Sequence, residues 1–334
     1  YILDSTIEPF MSDSGLYHSI SDIELSKIEE SAADFARQAG NILFKYFGLP
    51  VIPSSELDVR FKDSANRDPV TLADTEVQQY LSQEILGLYP NHSVVGEEDE
   101  EYEETLSDTV WVIDPLDGTR NFLNGLPMFG SSIGVLHRGE FLVGAVFVPW
   151  PGKHQGIVVH ASKNHGAKID GIHFKMPEKE THKPSGVMTL PGSFNTLFKF
   201  EGGFATESGE LRMAGSIAFE LVMVALGVTE YAVIGGAHLW DIAGCIPIIN
   251  EAGGGIRKHS KKSFRSRLIT GTQYWEDFDS LGTLSGSDSY TTSEFRKYTP
   301  QILAAHANVI DNVSLNITPR NVGIKGAAGS IFRK

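Results

Sequence analysis

Apolar residues recur at helical spacing near the start of the chain. Ile23, Ile28, Phe35, Ala39, Ile42 and Phe47 predict a helix from about 22 to 47, capped by Ser21 or Asp22. A second stripe, Val77, Leu81, Ile85 and Leu88, predicts a helix over 72–88, with the stripe serving as core packing. From Val110 the period changes. Trp111, Val112, Ile113 and Asp114 predict a buried strand, and 129–136 and 141–149 predict two more. The turn at 137–140 joins the last two into an antiparallel meander. Asp170-Gly171 predicts a tight hairpin over 168–173. A polar stretch, 174–186, reads as the boundary between two halves. Beyond it, 212–227 predicts an apolar helix, 231–234 a short buried strand, and 242–252 a helix ending at Gly253-Gly254. Helices mixed with antiparallel strands in this order predict a layered α+β architecture.

The strand at 111–114 runs into Pro115, Leu116, Asp117, Gly118 and Thr119. Two carboxylates, Asp114 and Asp117, therefore share one sharp turn. Pro115 ends ladder pairing, Gly118 permits the bend, and Thr119 is placed to cap whatever follows. Carboxylates this close repel unless a hard cation sits between them, and free backbone N–H groups beyond the turn suit an anion. The local pattern is a cation site abutting an oxyanion site, as phosphate-ester chemistry requires.

Composition narrows the partners. The 334 residues carry 28 basic and 42 acidic side chains, a net charge of −14. That argues against a nucleic-acid polymer or an anionic membrane surface as partner. A small phosphorylated substrate is still compatible, because bound cations invert the local field. A single cysteine, Cys245, excludes an intramolecular disulfide and fits a reducing compartment. No apolar run reaches 18 residues, and the first residues lack the pattern of a secretory signal, so the expectation is a cytoplasmic protein. The first residue is Tyr1, not Met, so the sequence reads as trimmed or partial.

Three segments in order carry a resemblance. They are Asp68 to Asp74 followed by Val94 to Glu98, then Trp111 to Thr119, then Leu239 to Gly254. Together they resemble the inositol monophosphatase superfamily of magnesium-dependent, lithium-sensitive phosphatases, from about residue 20 to about 260. The resemblance implies a five-layer α-β-α-β-α sandwich of the inositol monophosphatase / fructose-1,6-bisphosphatase type, usually a homodimer. It divides the chain into an N-terminal extension (1–20), a metal-binding α+β half (21–180), a C-terminal α/β half carrying Asp241 (181–313) and a weakly ordered tail (314–334). It also implies that two or three Mg²⁺ ions are held by Glu97, Asp114, Asp117, Asp241 and the Leu116 carbonyl. Glu97 then lies on the side that activates water, and Thr119 with Asp74 forms the dyad that orients it. The N–H groups of Gly118 and Thr119 cradle phosphate, and Lys62 belongs to a loop approaching the metals.

The substrate is less sharply defined. Inositol-acting relatives place a glutamate shortly before the Trp-Asp pair, where this chain has Val233 or Ile234. Ile217, beside Ser216, stands where many relatives carry a small residue. These four positions are the expected substrate contacts, and the two changes, Val233 or Ile234 for the glutamate and Ile217 for a small residue, make the pocket more apolar. The expected reaction is hydrolysis of a small phosphorylated polyol or sugar such as inositol monophosphate. The alternatives are histidinol phosphate, fructose 1,6-bisphosphate or a 3′-phosphonucleotide on the same fold, or a catalytically silent dimeric scaffold.

Overall fold

The structure, a computed structural model, describes residues 20–48, 59–61, 69–99, 104–152, 156–178, 186–259, 274–282, 284 and 289–320. The first two helices form where the apolar spacing puts them, at Asp22–Tyr46 and Leu72–Leu88. Ser21 caps the first, its hydroxyl accepting the Glu24 N–H at 3.3 Å. Val77, Leu81 and Ile85 are fully buried, whereas Ile23 and Leu88 are exposed at the helix ends.

These helices cover one face of a seven-stranded sheet. Its order is Ser93–Gly96, Thr109–Asp117, Gly130–His137, Glu140–Pro149, Gly156–Ser162, Ala167–Ile169 and Ile172–Phe174. Only the first pair is parallel. The hairpin at Asp170-Gly171 takes positive φ at both residues, as a primed turn demands. Between this helix pair and the sheet, Glu29 is buried against His160, Ser162 and Lys168. Burial alone would raise its pKa, but hydrogen bonds from those three partners hold it down at about 2.

On the other face of the sheet lie the helices Ile217–Ala225, Leu239–Ile242 and Cys245–Glu251. They also pack on a six-stranded sheet ordered Glu210–Arg212, Val187–Thr189, Tyr231–Ile234, Ile302–His306, Gly254–His259 and Trp275–Asp277. The helix Ala307–Asn316 covers the far side. Three apolar clusters fill the spaces between these five layers, so the α-β-α-β-α sandwich is present.

Three local differences have physical causes. The apolar helix starts at Ile217, not 212, because Gly215 turns the chain at φ +80° and Ser216 caps the helix; residues 210–212 are an edge strand instead. The 242–252 helix is two pieces, and Pro247 has no N–H to give the carbonyl of Ala243, four residues back. Residues 317–319, expected in a weakly ordered tail, pair with Phe198–Phe200. Most of the expected 174–186 boundary and all of 321–334 lie outside the described residues. No helix among the described residues is long and apolar enough to cross a membrane.

The break between the two short helices sits directly on the large sheet. A Cβ on Gly144 would lie 1.9 Å from the Gly244 carbonyl oxygen, and one on Gly134 would lie 2.5 Å from backbone of Ala243. Backbone on both sides leaves no flexible group to move. Gly144→Ala is expected to destabilise the protein by about 2 kcal/mol or more, lowering Tm by at least about 4 °C. Gly87→Ala, on an open helix surface with nothing within 4 Å of the new Cβ, is expected to be neutral or slightly stabilising. Thermal unfolding of the two variants checks the contrast.

Candidate metal centre

Asp114 and Asp117 could not face the same way on a regular strand, where residues three apart point to opposite faces. The register supplies the correction. Asp114 pairs with Ser132 and Asp117 with Gly130, three steps on one strand against two on its neighbour. The extra residue is a bulge at Pro115-Leu116, where proline has no N–H for the ladder, and it brings both carboxylates to one side. The next residue, Gly118, has φ +88°, and a Cβ there would lie 2.8 Å from that of Ser216. Asp241 arrives from the short helix Leu239–Ile242, where its Oδ2 accepts the His238 N–H at 2.8 Å. Carboxylate oxygens of Asp114, Asp117 and Asp241 all lie within 4.8 Å of one another.

Electrostatics at this cluster are unfavourable without a counter-charge. Asp114 is 1 % exposed. One of its oxygens accepts the Leu116 N–H at 3.0 Å, while the other, Oδ2, is buried with no hydrogen-bond donor. Burial, then the charges of Glu97, Asp117 and Asp241, push its pKa well above the carboxylate range. Burial does the same to Asp241, with Asp117 and Glu97 adding to it. Asp117 is also raised by burial, to about 7, even though the Ser216 hydroxyl and the Ala218 N–H both donate to its Oδ2 at 2.6 Å. A donor-less buried oxygen among converging carboxylates is the environment a hard divalent cation satisfies.

Glu97 follows the strand Ser93–Gly96, its N–H bonded to the Ile113 carbonyl at 3.2 Å. It is partly exposed, and its charge acts on Asp74, Asp114, Asp117 and Asp241 alike. Asp74 is the third residue of its helix, not the cap. Its Oδ2 accepts both the N–H and the hydroxyl of the capping residue Thr71. That leaves Oδ1 for the Thr119 hydroxyl at 3.4 Å, which also reaches the Leu116 carbonyl at 3.0 Å. Burial raises Asp74 to about 7 against the pull of the Thr71 bonds, with Glu98 and Glu97 adding to it.

The four expected substrate contacts divide. Ser216 is 1 % exposed, and its hydroxyl is spent on Asp117. Ile217 is partly exposed. Val233 and Ile234 are buried, Val233 in the outer apolar cluster and Ile234 in the one between the sheets. Lys62 lies outside the described residues. Two supporting residues escaped the sequence reading. Glu220 is a buried carboxylate that accepts the N–H groups of Ala214 and Gly215 at 2.7 and 3.0 Å, shaping the turn before Ser216. A lone acid inside the run 217–226 was the signal for it. Asn121 donates to the carbonyls of Met128 and Ala214, both at 2.6 Å, tying the two halves together beside the Asp114–Asp117 turn; nothing in its local sequence marked it.

Fold and site together define a class: an α-β-α-β-α sandwich with a buried acidic centre on a strand bulge. The sequence model of the inositol monophosphatase family matches residues 24–287. The chain belongs to that family, whose members are phosphatase-type and magnesium-dependent. It is 31% identical over 262 residues to a fructose-1,6-bisphosphatase/inositol-1-monophosphatase of Aquifex aeolicus, covering 76% of this chain and 94% of that one. It is 31% identical over 225 residues to Nus factor SuhB of Pasteurella multocida, covering 66% and 80%. The solved inositol monophosphatase of Thermotoga maritima shares the fold at a TM-score of 0.61 and 23% identity, covering 87% and 96%.

The raised acids have a consequence for stability. An acid whose folded pKa exceeds its unfolded value, about 3.9 for Asp, favours the unfolded state once that state has released its proton. Without cations, Asp117 alone therefore removes stability progressively from about pH 4 to about pH 7. A cation bound to the ionised centre offsets this loss. The Tm increment produced by saturating MgCl₂ over EDTA is expected to grow from pH 5 to pH 8. At about 100 times Kd a single ion adds roughly 2.7 kcal/mol. An increment that is absent, or the same at both pH values, would contradict the assignment.

Proposed function

We propose that the chain is a Mg²⁺-dependent phosphomonoesterase acting on a small phosphorylated polyol or sugar such as inositol monophosphate. The observation that carries this reading is the convergence of Asp114, Asp117 and Asp241, with Asp114 Oδ2 buried and lacking a donor. Those three carboxylates, with Glu97 and the Leu116 carbonyl, would hold two or three ions. Bound Mg²⁺ supplies charge neutralisation and Lewis acidity toward the phosphate ester.

The remaining tasks fall to the chain's own groups. The Thr119 hydroxyl, oriented by Asp74, holds the attacking water. An Asp74 carboxyl with a pKa of about 7 is matched to accepting a proton near neutrality. The Gly118 and Thr119 N–H groups sit just past the bulge and favour an anion. The leaving group faces the loops that follow Val187–Thr189, Glu210–Arg212 and Tyr231–Ile234. These strands are mutually parallel and deliver their C-terminal ends to one edge, the edge at which open α/β sheets bind ligands. Two of the loops meet there, since a Cβ on Gly235 would lie 3.0 Å from the Ser193 hydroxyl.

A wider sugar-phosphate range is favoured by the similarity to a protein named for both fructose bisphosphatase and inositol monophosphatase activity. Histidinol phosphate and 3′-phosphonucleotides remain the alternatives to a sugar or polyol phosphate on the same fold. The similarity to a protein named Nus factor SuhB keeps the silent, partner-binding reading in play. The lithium sensitivity implied by the family resemblance belongs to the enzymatic reading, whereas the homodimer and the cytoplasmic location are expected on either.

Phosphate release from myo-inositol 1-phosphate, fructose 1,6-bisphosphate, histidinol phosphate and a 3′-phosphoadenosine nucleotide separates these cases. The assay runs with and without Mg²⁺ and with added Li⁺. Mg²⁺-dependent release from at least one ester is expected, with Asp117→Asn losing at least about 100-fold while remaining folded. Near-full turnover in Asp117→Asn would overturn the metal assignment. No release from any ester would bring the partner-binding reading forward.

A further inference from the structure

The family match ends at residue 287, yet the chain just beyond it returns to the acidic centre. Residues 290–297 pack against the segment that follows the Glu97 turn. Leu106 N–H donates to the Tyr290 carbonyl at 2.9 Å, and Thr292 N–H donates to the Glu104 carbonyl at 3.0 Å. Glu104 N–H donates to the Thr292 hydroxyl at 3.1 Å. The helix Thr292–Lys297 is fixed at its start by a capping box between Thr291 and Glu294, and Phe295 is buried in the cluster between the two sheets. Its last turn therefore has little freedom in where it presents Arg296.

That guanidinium touches both sides of the centre. One Nη donates to the Gly96 carbonyl at 2.7 Å and the other to the Glu97 carbonyl at 3.3 Å. Its Cζ lies over the Trp240 ring, 5.2 Å from the centroid. Trp240 also stacks with His238, at 4.5 Å between ring centroids and 4° between planes. Its neighbour in sequence is Asp241. The Glu97 turn and the Asp241 helix come from different halves of the molecule, and a single side chain bonds to one while its charge lies over the indole of the other.

We infer that Arg296 is a positioning residue for the acidic centre, setting the spacing between the turn that carries Glu97 and the helix that carries Asp241. The inference rests on the metal-centre reading proposed above. The residue type fits the task. A planar fork can satisfy two carbonyls while its face packs on indole, whereas a lysine ammonium offers the charge without the fork or the plane. The turn itself is braced from the other direction by Asp99, which accepts the Gly96 N–H at 2.6 Å and the Gln78 amide at 2.8 Å. Arg296 completes that frame on its carbonyl side.

Residues that orient metal ligands without touching the metal typically change its affinity 10- to 100-fold when removed. Calorimetric Mg²⁺ binding to the full chain, with Trp fluorescence as a second readout near Trp240, tests this. Arg296→Ala is expected to weaken Mg²⁺ binding by about 10-fold or more. Arg296→Lys should recover less than half of that loss on a logarithmic scale. Should Arg296→Ala fail to fold, Arg296→Met keeps the aliphatic stem and takes its place. Wild-type affinity in the Ala or Met variant would overturn the inference. So would full recovery in the Lys variant, which would make the charge sufficient. Asp117→Asn is run alongside. If it too binds Mg²⁺ like the wild type, the metal-centre reading fails, an outcome distinct from a failure of Arg296 alone.

Discussion

Repulsion between buried carboxylates is the constraint around which the rest of this structure is arranged. At about 4 Å, two unit charges repel by roughly 4 kcal/mol at an effective dielectric of 20. Oxygens of Asp114, Asp117 and Asp241 converge to within 4.8 Å of one another, with Glu97 close enough to act on each. Among the described residues, the donors to these three aspartates are neutral: the N–H groups of Leu116, Ala218 and His238, and the Ser216 hydroxyl. They leave Asp114 Oδ2 without a partner. A centre assembled from several elements and left short of neutralisation in this way is the environment that a hard divalent cation would satisfy.

The assembly explains the layering. One strand brings two of the acids, and the bulge at Pro115-Leu116 is what lets them share a side. The third must come from across the sandwich. Gly134, Gly144 and Gly244 allow the 239–251 helices to lie backbone against backbone on the large sheet, which delivers Asp241 to the bulge. Asn121 and Arg296 then tie the halves together around it, while Glu220 holds the turn before Ser216. Each does so through backbone carbonyl or N–H groups, which are present whatever the neighbouring side chains are.

Much of this was legible in the chain. The 22–46 and 72–88 helices follow from apolar spacing, and the acid-rich turn announced itself through Asp114, Pro115, Asp117 and Gly118. The convergence did not, because a pattern of period two places Asp114 and Asp117 on opposite faces. Only pairing with Ser132 and Gly130 reveals the extra residue. The start of the Ile217–Ala225 helix was misplaced because Met213 and Ala214 continue the apolar run, while the deciding features are a left-handed Gly215 and the capping Ser216. Ser216 shows the same limit. Its position beside the pocket was readable, but its hydroxyl serves Asp117. Arg296 lies nearly 200 residues from the carbonyls it holds, and no local pattern could connect them.

Diffraction from crystals soaked in Mn²⁺, with anomalous peaks located against the refined chain, would show directly whether the centre holds cations. Mn²⁺ accepts the same carboxylate and carbonyl oxygens as Mg²⁺. The account predicts at least one strong peak at coordination distance from both Asp114 and Asp117, including the donor-less oxygen of Asp114. A saturated crystal with these carboxylates in place and no peak among them would contradict it.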